Sequence, residues 1–179
     1  MIEAGAGGRG AAARRVPPSV LGMSLFVSSE VMFFGGLFAS YFMLRGTAGP
    51  AWPPEGSVET SLVLPVALTA ILLASSVTVH LGRLGLTIFL GTLFLAGQAW
   101  EYAQLGAEGL SASTDVFATL FFTITGFHGL HVAVGLVMLT AARLRQPRGP
   151  EAQAEAAAYY WHFVDAVWVL VFLTLYVLR

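Results

Sequence analysis

The sequence predicts an all-α fold: an integral membrane bundle of five transmembrane helices, with its N-terminus in the cytoplasm and its C-terminus outside. Three observations predict it. Of the 179 residues, 56% are hydrophobic and only 11% charged, and a mean hydropathy of +0.75 lies far above that of ordinary soluble domains. The charges crowd into a few short stretches, leaving five intervals that meet the roughly 20 apolar residues needed to cross a bilayer. The basic residues are all arginine and fall unevenly between the loops, which sets the orientation.

Residues 1–17, rich in Gly, Ala and Arg and without an apolar run, read as a disordered cytoplasmic tail rather than a cleaved signal. Residues 18–179 form the membrane domain, with helices expected at about 19–44, 58–80, 84–102, 114–142 and 157–178. The first connection, RGTAGPAWPPEGSVET, has three prolines and should be a stiff surface excursion with Trp52 near the headgroups. HLGRLG leaves so little chain between the second and third helices that they must be antiparallel neighbours. AQLGAEGLSAS and RLRQPRGPEAQAEA are modest in length, so the bundle is compact. Small residues (Gly35, Gly36 and Ala39; Gly91 and Gly97; Gly126, Gly129 and Gly135) offer faces on which helices approach closely.

Arg9, Arg14 and Arg15 precede the first helix, Arg83 follows the second, and Arg143, Arg145 and Arg148 lie between the fourth and fifth. Arg45 and Arg179 fall on the other side, so the first side is cytoplasmic. The sequence has no cysteine, which excludes disulfides, iron–sulfur ligation and thiolate metal sites. The net charge of −1 and absence of a soluble domain point away from nucleic acid as a partner.

Ionisable residues nevertheless lie inside the apolar intervals. At a rise of about 1.5 Å per residue, Glu30 and His131 both sit roughly 16 Å from the cytoplasmic ends of their helices, with His128 one turn further out. His162 is about 8 Å deep and Asp165 about 12 Å, and their three-residue spacing puts them on one face. Such groups cost several kcal/mol unless they face the bundle interior and find partners. Glu30 is therefore expected to bond His131, with Ser28, Ser29 and Thr125 nearby, while His162 and Asp165 serve a second interhelical contact or a lipid headgroup.

Three chemistries fit the constellation: polar bonds that fix helix register, a zinc, copper or haem-iron site built from His128, His131, His162, Asp165 and Glu30, and proton or ion handling. Trp100, Glu101 and Tyr102 are expected to anchor the outer end of the third helix, with Glu101 hydrated, and Trp161 to anchor the inner end of the fifth. The loop arginines Arg143 and Arg145 form a basic rim that attracts anionic headgroups.

The segments SEVMFFGGLFASYF, LLASSVTVH, TIFLGTLFLAGQAWEY, FFTITGFHGLHVAVG and YYWHFVDAVWVLVFLTLY together resemble, in order, subunit III of the haem–copper respiratory oxidases. The resemblance covers nearly everything after Val20 and is most specific in TGFHGLHV and YWHFVDAVW. It implies a noncatalytic subunit in a bacterial plasma membrane, with no haem, copper or other metal of its own. Its implied partners are the catalytic subunit I, which carries the redox centres of a proton-pumping oxidase, and subunit II in the same complex.

The resemblance also implies a V-shaped cleft holding phospholipid. Glu30 matches the family's buried carboxylate in SEV and His131 the second histidine of GFHGLH; His128, His162, Asp165 and Glu101 match its other polar positions. Longer members carry two more helices before SEV. This sequence has a short polar stretch there and resembles the five-helix bacterial form, which leaves the cleft more open or walled by another subunit. Quinol oxidases and nitric oxide reductase gene sets include proteins of this shape, so an accessory role in either stays open. So does a stand-alone transporter relaying protons through Glu30 and His131, although the outer halves FFGGLFASYF and LPVALTAI are nearly bare of polar groups.

Overall fold

Among the described residues, five helices are of membrane-crossing length: α1 (Pro18–Ala48), α2 (Val63–His80), α3 (Leu84–Ala107), α4 (Val116–Arg145) and α5 (Glu151–Phe172). The computed structural model describes residues 18–54, 56–58, 61–145 and 151–178. The proposed tail at 1–17 and the arginines Arg9, Arg14, Arg15, Arg148 and Arg179 lie outside the described residues. All five helices are long and apolar enough to cross a membrane.

Most helices outrun the apolar intervals that predict them. α3 continues to Ala107 rather than 102, and α5 begins at Glu151 rather than 157. The added turns, AQLGA (103–107) and EAQAEA (151–156), are built mostly from strong helix formers that keep backbone hydrogen bonds closed through the headgroup layer. α2 instead starts late, at Val63, with Pro65 in its first turn, where a missing N–H removes no intrahelical bond. Pro18 opens α1 for the same reason.

Two turns depend on glycine. After α2, Gly82 takes φ +69°, and the Arg83 and Gly82 N–H groups reach back to the carbonyls of Thr78 (2.9 Å) and Val79 (3.0 Å). After α3, Gly109 (φ +81°) repeats the motif, Leu110 N–H bonding Leu105 at 2.9 Å. Both are Schellman closures, which satisfy carbonyls otherwise orphaned at a helix end. The first makes α2 and α3 an antiparallel hairpin with extensive mutual contact.

α5 is the centre of the bundle: it packs against α1, α2 and α4, while α3 closes the far side against α2 and α4. In its most apolar window 56% of residues are buried, against 11% in α1, so α1 is the helix that the chain itself covers least. The core is aromatic, with Trp161, Trp168, Tyr160, Phe94 and Phe121 fully buried.

Trp161 shows how the core is fitted. Its indole enters a socket between α3 and α4 made by two missing side chains: a β-carbon at Gly91 would lie 2.5 Å from it, and one at Gly135 2.9 Å. The indole N–H then bonds Ser75 Oγ at 2.9 Å, and one face further along Trp168 bonds Thr69 Oγ1, also at 2.9 Å. Trp161 is thus a core residue of α5, not the interfacial anchor its position in the apolar interval suggests. Gly97 likewise receives Leu68, whereas Gly35 and Gly36 have nothing within 4 Å and pack no helix of this chain.

The first connection folds back rather than standing out. Trp52 is half-buried against Tyr41 and Phe117, at ring separations of 5.5 Å each, and its indole N–H donates to the Tyr41 hydroxyl at 3.3 Å. α5 ends in a wider π-type turn, Leu173–Val177, which turns Tyr176 into the bundle.

Candidate functional site

Glu30 on α1 and His131 on α4 meet across the seam where those two helices touch lightly. His131 Nε2 and Glu30 Oε2 are 2.8 Å apart. The other ring nitrogen is 2.7 Å from the Phe127 carbonyl, so Nδ1 carries a proton and donates it. That leaves one proton for the pair, held either on Nε2 or on the carboxyl, and a hydrogen bond forms in both cases. Phe34 (5.1 Å) and Phe33 (6.4 Å) close around the imidazole, and the Tyr160 hydroxyl donates to the His131 carbonyl at 3.3 Å. The site is therefore tied to α1, α4 and α5 at once.

Ser28, Ser29 and Thr125 do not join it. The serine hydroxyls bond their own helix, at Ser24 and Phe26, and Thr125 bonds Tyr102 at 2.6 Å and Phe121 at 2.6 Å. In a helix such back-bonding satisfies a hydroxyl locally, which removes the need for a partner across the seam.

His128 is enclosed completely, at 0% exposure, between the rings of Phe94 (5.8 Å) and Trp168 (5.0 Å). Neither nitrogen has a hydrogen bond among the described residues. It packs as an aromatic in the α3–α4–α5 core and cannot line a lipid cleft.

His162 and Asp165 share a face of α5 toward α2 but differ in environment. His162 is exposed and its Nδ1 lies 2.7 Å from Ser76 Oγ. Asp165 is buried at 4% exposure, with Ser76 near it but no well-formed hydrogen bond to either oxygen among the described residues. Arg143 and Arg145 are exposed at the end of α4; Arg143 lies over Gly85 and Arg145 makes a long 3.5 Å bond to Gln153.

Glu101 overturns the expectation of a hydrated anchor. It is buried at 4% exposure, and its Oε2 accepts from Gln98 Nε2 at 2.5 Å and from the Tyr176 hydroxyl at 3.0 Å, while its neighbour Trp100 does face outward. The residues that reading missed are mostly hydroxyls and amides: Thr69, Ser75, Ser76, Gln98 and Tyr176. Gln98 and Glu101 stand at helical i, i+3 spacing, a signal visible in the sequence; Tyr176, 75 positions away, leaves none.

Among the described residues no three His, Asp or Glu side chains converge as a metal site would require. The polar groups work in pairs that join helices, and the class so defined is a multi-pass α-helical membrane protein whose interior chemistry is interhelical bonding. The family follows from comparison. Residues 9–179 match the family model described as cytochrome c oxidase subunit III. The chain is 42% identical to a probable cytochrome c oxidase subunit 3 of Nocardia farcinica and 41% identical to the cytochrome c oxidase subunit 3 of Thermostichus vulcanus, in each case over 89% of this chain and 87% of the relative. It is 40% identical to the Synechocystis protein of that name, over 75% of the relative's length. The chain belongs to the cytochrome c oxidase subunit III family.

Proposed function

We propose that this chain is the noncatalytic subunit III of a proton-pumping haem–copper terminal oxidase in a bacterial plasma membrane, the enzyme being a cytochrome c oxidase. It packs beside the catalytic subunit I, in a complex that also holds subunit II, and the haem and copper reside on those partners. The N-terminus is cytoplasmic: Arg83, Arg143 and Arg145 mark the same end of the bundle, and Arg45 is the described arginine at the other.

The observation that carries this reading is the Glu30–His131 contact at 2.8 Å, formed by the two family segments SEV and GFHGLH across the α1–α4 seam. α1 has little else from this chain on that side, and its outward face carries Leu25, Met32, Phe42 and Met43. A hydrogen-bonded pair in a low-dielectric seam fixes the register of the loosely held helix and leaves the apolar face free for subunit I and for phospholipid. His128 packs in the core between α3, α4 and α5, Glu101 ties α3 to the turn that follows α5, and the Arg143–Arg145 rim attracts anionic headgroups.

The test is selective removal of this chain from the purified complex. The account predicts that the initial rate of oxygen consumption is retained while activity decays faster over successive turnovers. Loss of the initial rate itself would overturn the noncatalytic role.

A further inference from the structure

We propose that the cavity between the adjoining ends of α2 and α3 binds the headgroup of a zwitterionic, ammonium-bearing lipid, with Glu101 accepting the ammonium. The cavity has a volume of about 390 Å³, within the range of about 300–1,000 Å³ of small-ligand sites. It lies on α3, away from the Glu30–His131 seam, and the inference does not rest on the oxidase role.

Its base is the Glu101 carboxylate. Both internal donors, Gln98 and Tyr176, bond Oε2, which leaves Oε1 without a hydrogen bond from the described residues, and Glu101 lines the cavity. A carboxylate buried to this degree with one oxygen unpaired calls for a cation or donor from outside the chain. Glu108 adds a second carboxylate to the lining, and among the described residues no arginine or histidine lines the space. An anionic lipid is therefore disfavoured, and an ammonium favoured.

The remaining walls suit the rest of a zwitterionic headgroup. Trp100 and Gln104 line the cavity, and neither the indole N–H nor the amide is engaged in a hydrogen bond among the described residues. The Ser61 hydroxyl accepts from Val63 N–H at 3.4 Å and keeps its own proton to donate. These neutral donors face a phosphate without adding charge. Trp100 is 63% exposed and presents an aromatic surface of the kind that attracts ammonium groups. Leu64 and Leu105 complete an apolar wall. Glu101 stands six residues before the end of α3 at Ala107, roughly 9 Å of rise, which places the cavity between headgroup and hydrocarbon.

The experiment is native mass spectrometry of the intact complex purified through this chain. It is titrated with phosphatidylethanolamine, with phosphatidylglycerol of the same acyl chains, and with free phosphoethanolamine. Wild type is expected to hold one more phosphatidylethanolamine than Glu101→Gln, with equal phosphatidylglycerol and no adduct from the free headgroup. Gln104→Trp, at an exposed position outside the Glu101 bonds, fills the cavity and is expected to lose the same lipid, so the test survives a poorly folded Glu101 variant. Unchanged phosphatidylethanolamine in Gln104→Trp, or equal uptake of phosphatidylglycerol at the site, would overturn the proposal. Binding of free phosphoethanolamine at the lipid's own affinity would overturn the assignment to a lipid.

Discussion

At the scale of single residues, the Glu30–His131 pair has one proton to share, because the other imidazole proton is given to the Phe127 carbonyl. Interhelical hydrogen bonds of this kind couple by about 0.6 to 1.7 kcal/mol in membranes. A double-mutant cycle of Glu30→Ala and His131→Ala, read by thermal or detergent unfolding, is expected to give a coupling of about 1 kcal/mol; additive losses would deny the contact. Glu30→Gln is expected to cost less than Glu30→Ala, since an amide N–H still donates to a neutral Nε2.

The level shared by Glu30 and His131 is legible in the sequence because both can be counted from well-marked helix ends. Glu101 is misread for the opposite reason. The apolar interval ends beside it and so puts it at the interface, whereas α3 runs on to Ala107 and carries Glu101 inside, where Tyr176 meets it. His128 is read as polar, yet the surrounding Phe94 and Trp168 use it as a ring.

At the scale of elements, α5 is held by what its neighbours lack. Trp161 occupies the space of absent side chains at Gly91 and Gly135, so Gly135→Val forces an indole out of its socket, an overpacking cost of about 1–3 kcal/mol. Gly36→Ala, on the open face of α1 where nothing lies within 4 Å, is expected to leave the melting temperature of the extracted protein unchanged or raise it. Equal destabilisation by both would contradict the socket. Trp161→Phe removes the bond to Ser75 and leaves part of the indole's socket empty, for an expected loss greater than the about 1 kcal/mol of the hydrogen bond alone.

The glycine pattern announces close packing in α3 and α4 but marks α1 equally, and periodicity alone does not distinguish a face toward a sister helix from one left open. The hydroxyls of α2 that receive the indoles, Thr69 and Ser75, are hidden in an apolar run because small polar residues barely interrupt its hydropathy. The turn after α2 was legible: a connection as short as HLGRLG admits a hairpin, and Gly82 supplies the positive φ that closes it.

At the scale of the whole molecule, the chain buries α5 and leaves α1 bare. For a membrane protein an exposed apolar helix needs lipid or another protein against it, and the family to which the chain belongs supplies both expectations. The number of helices and the class were legible from composition, since a bilayer demands long apolar helices whatever their function. The arrangement around α5 was not, because lipid-facing and core-facing residues are equally apolar and no amphipathic stripe marks the inside.

The measurement that bears most directly on the central claim is purification through a tag on this chain in mild detergent, with a reduced-minus-oxidised visible spectrum and identification of the accompanying polypeptides. The account predicts haem absorbance that travels with a large partner subunit and disappears when this chain is isolated from it. A colourless chain purified alone, under conditions that keep oxidases intact, would contradict it.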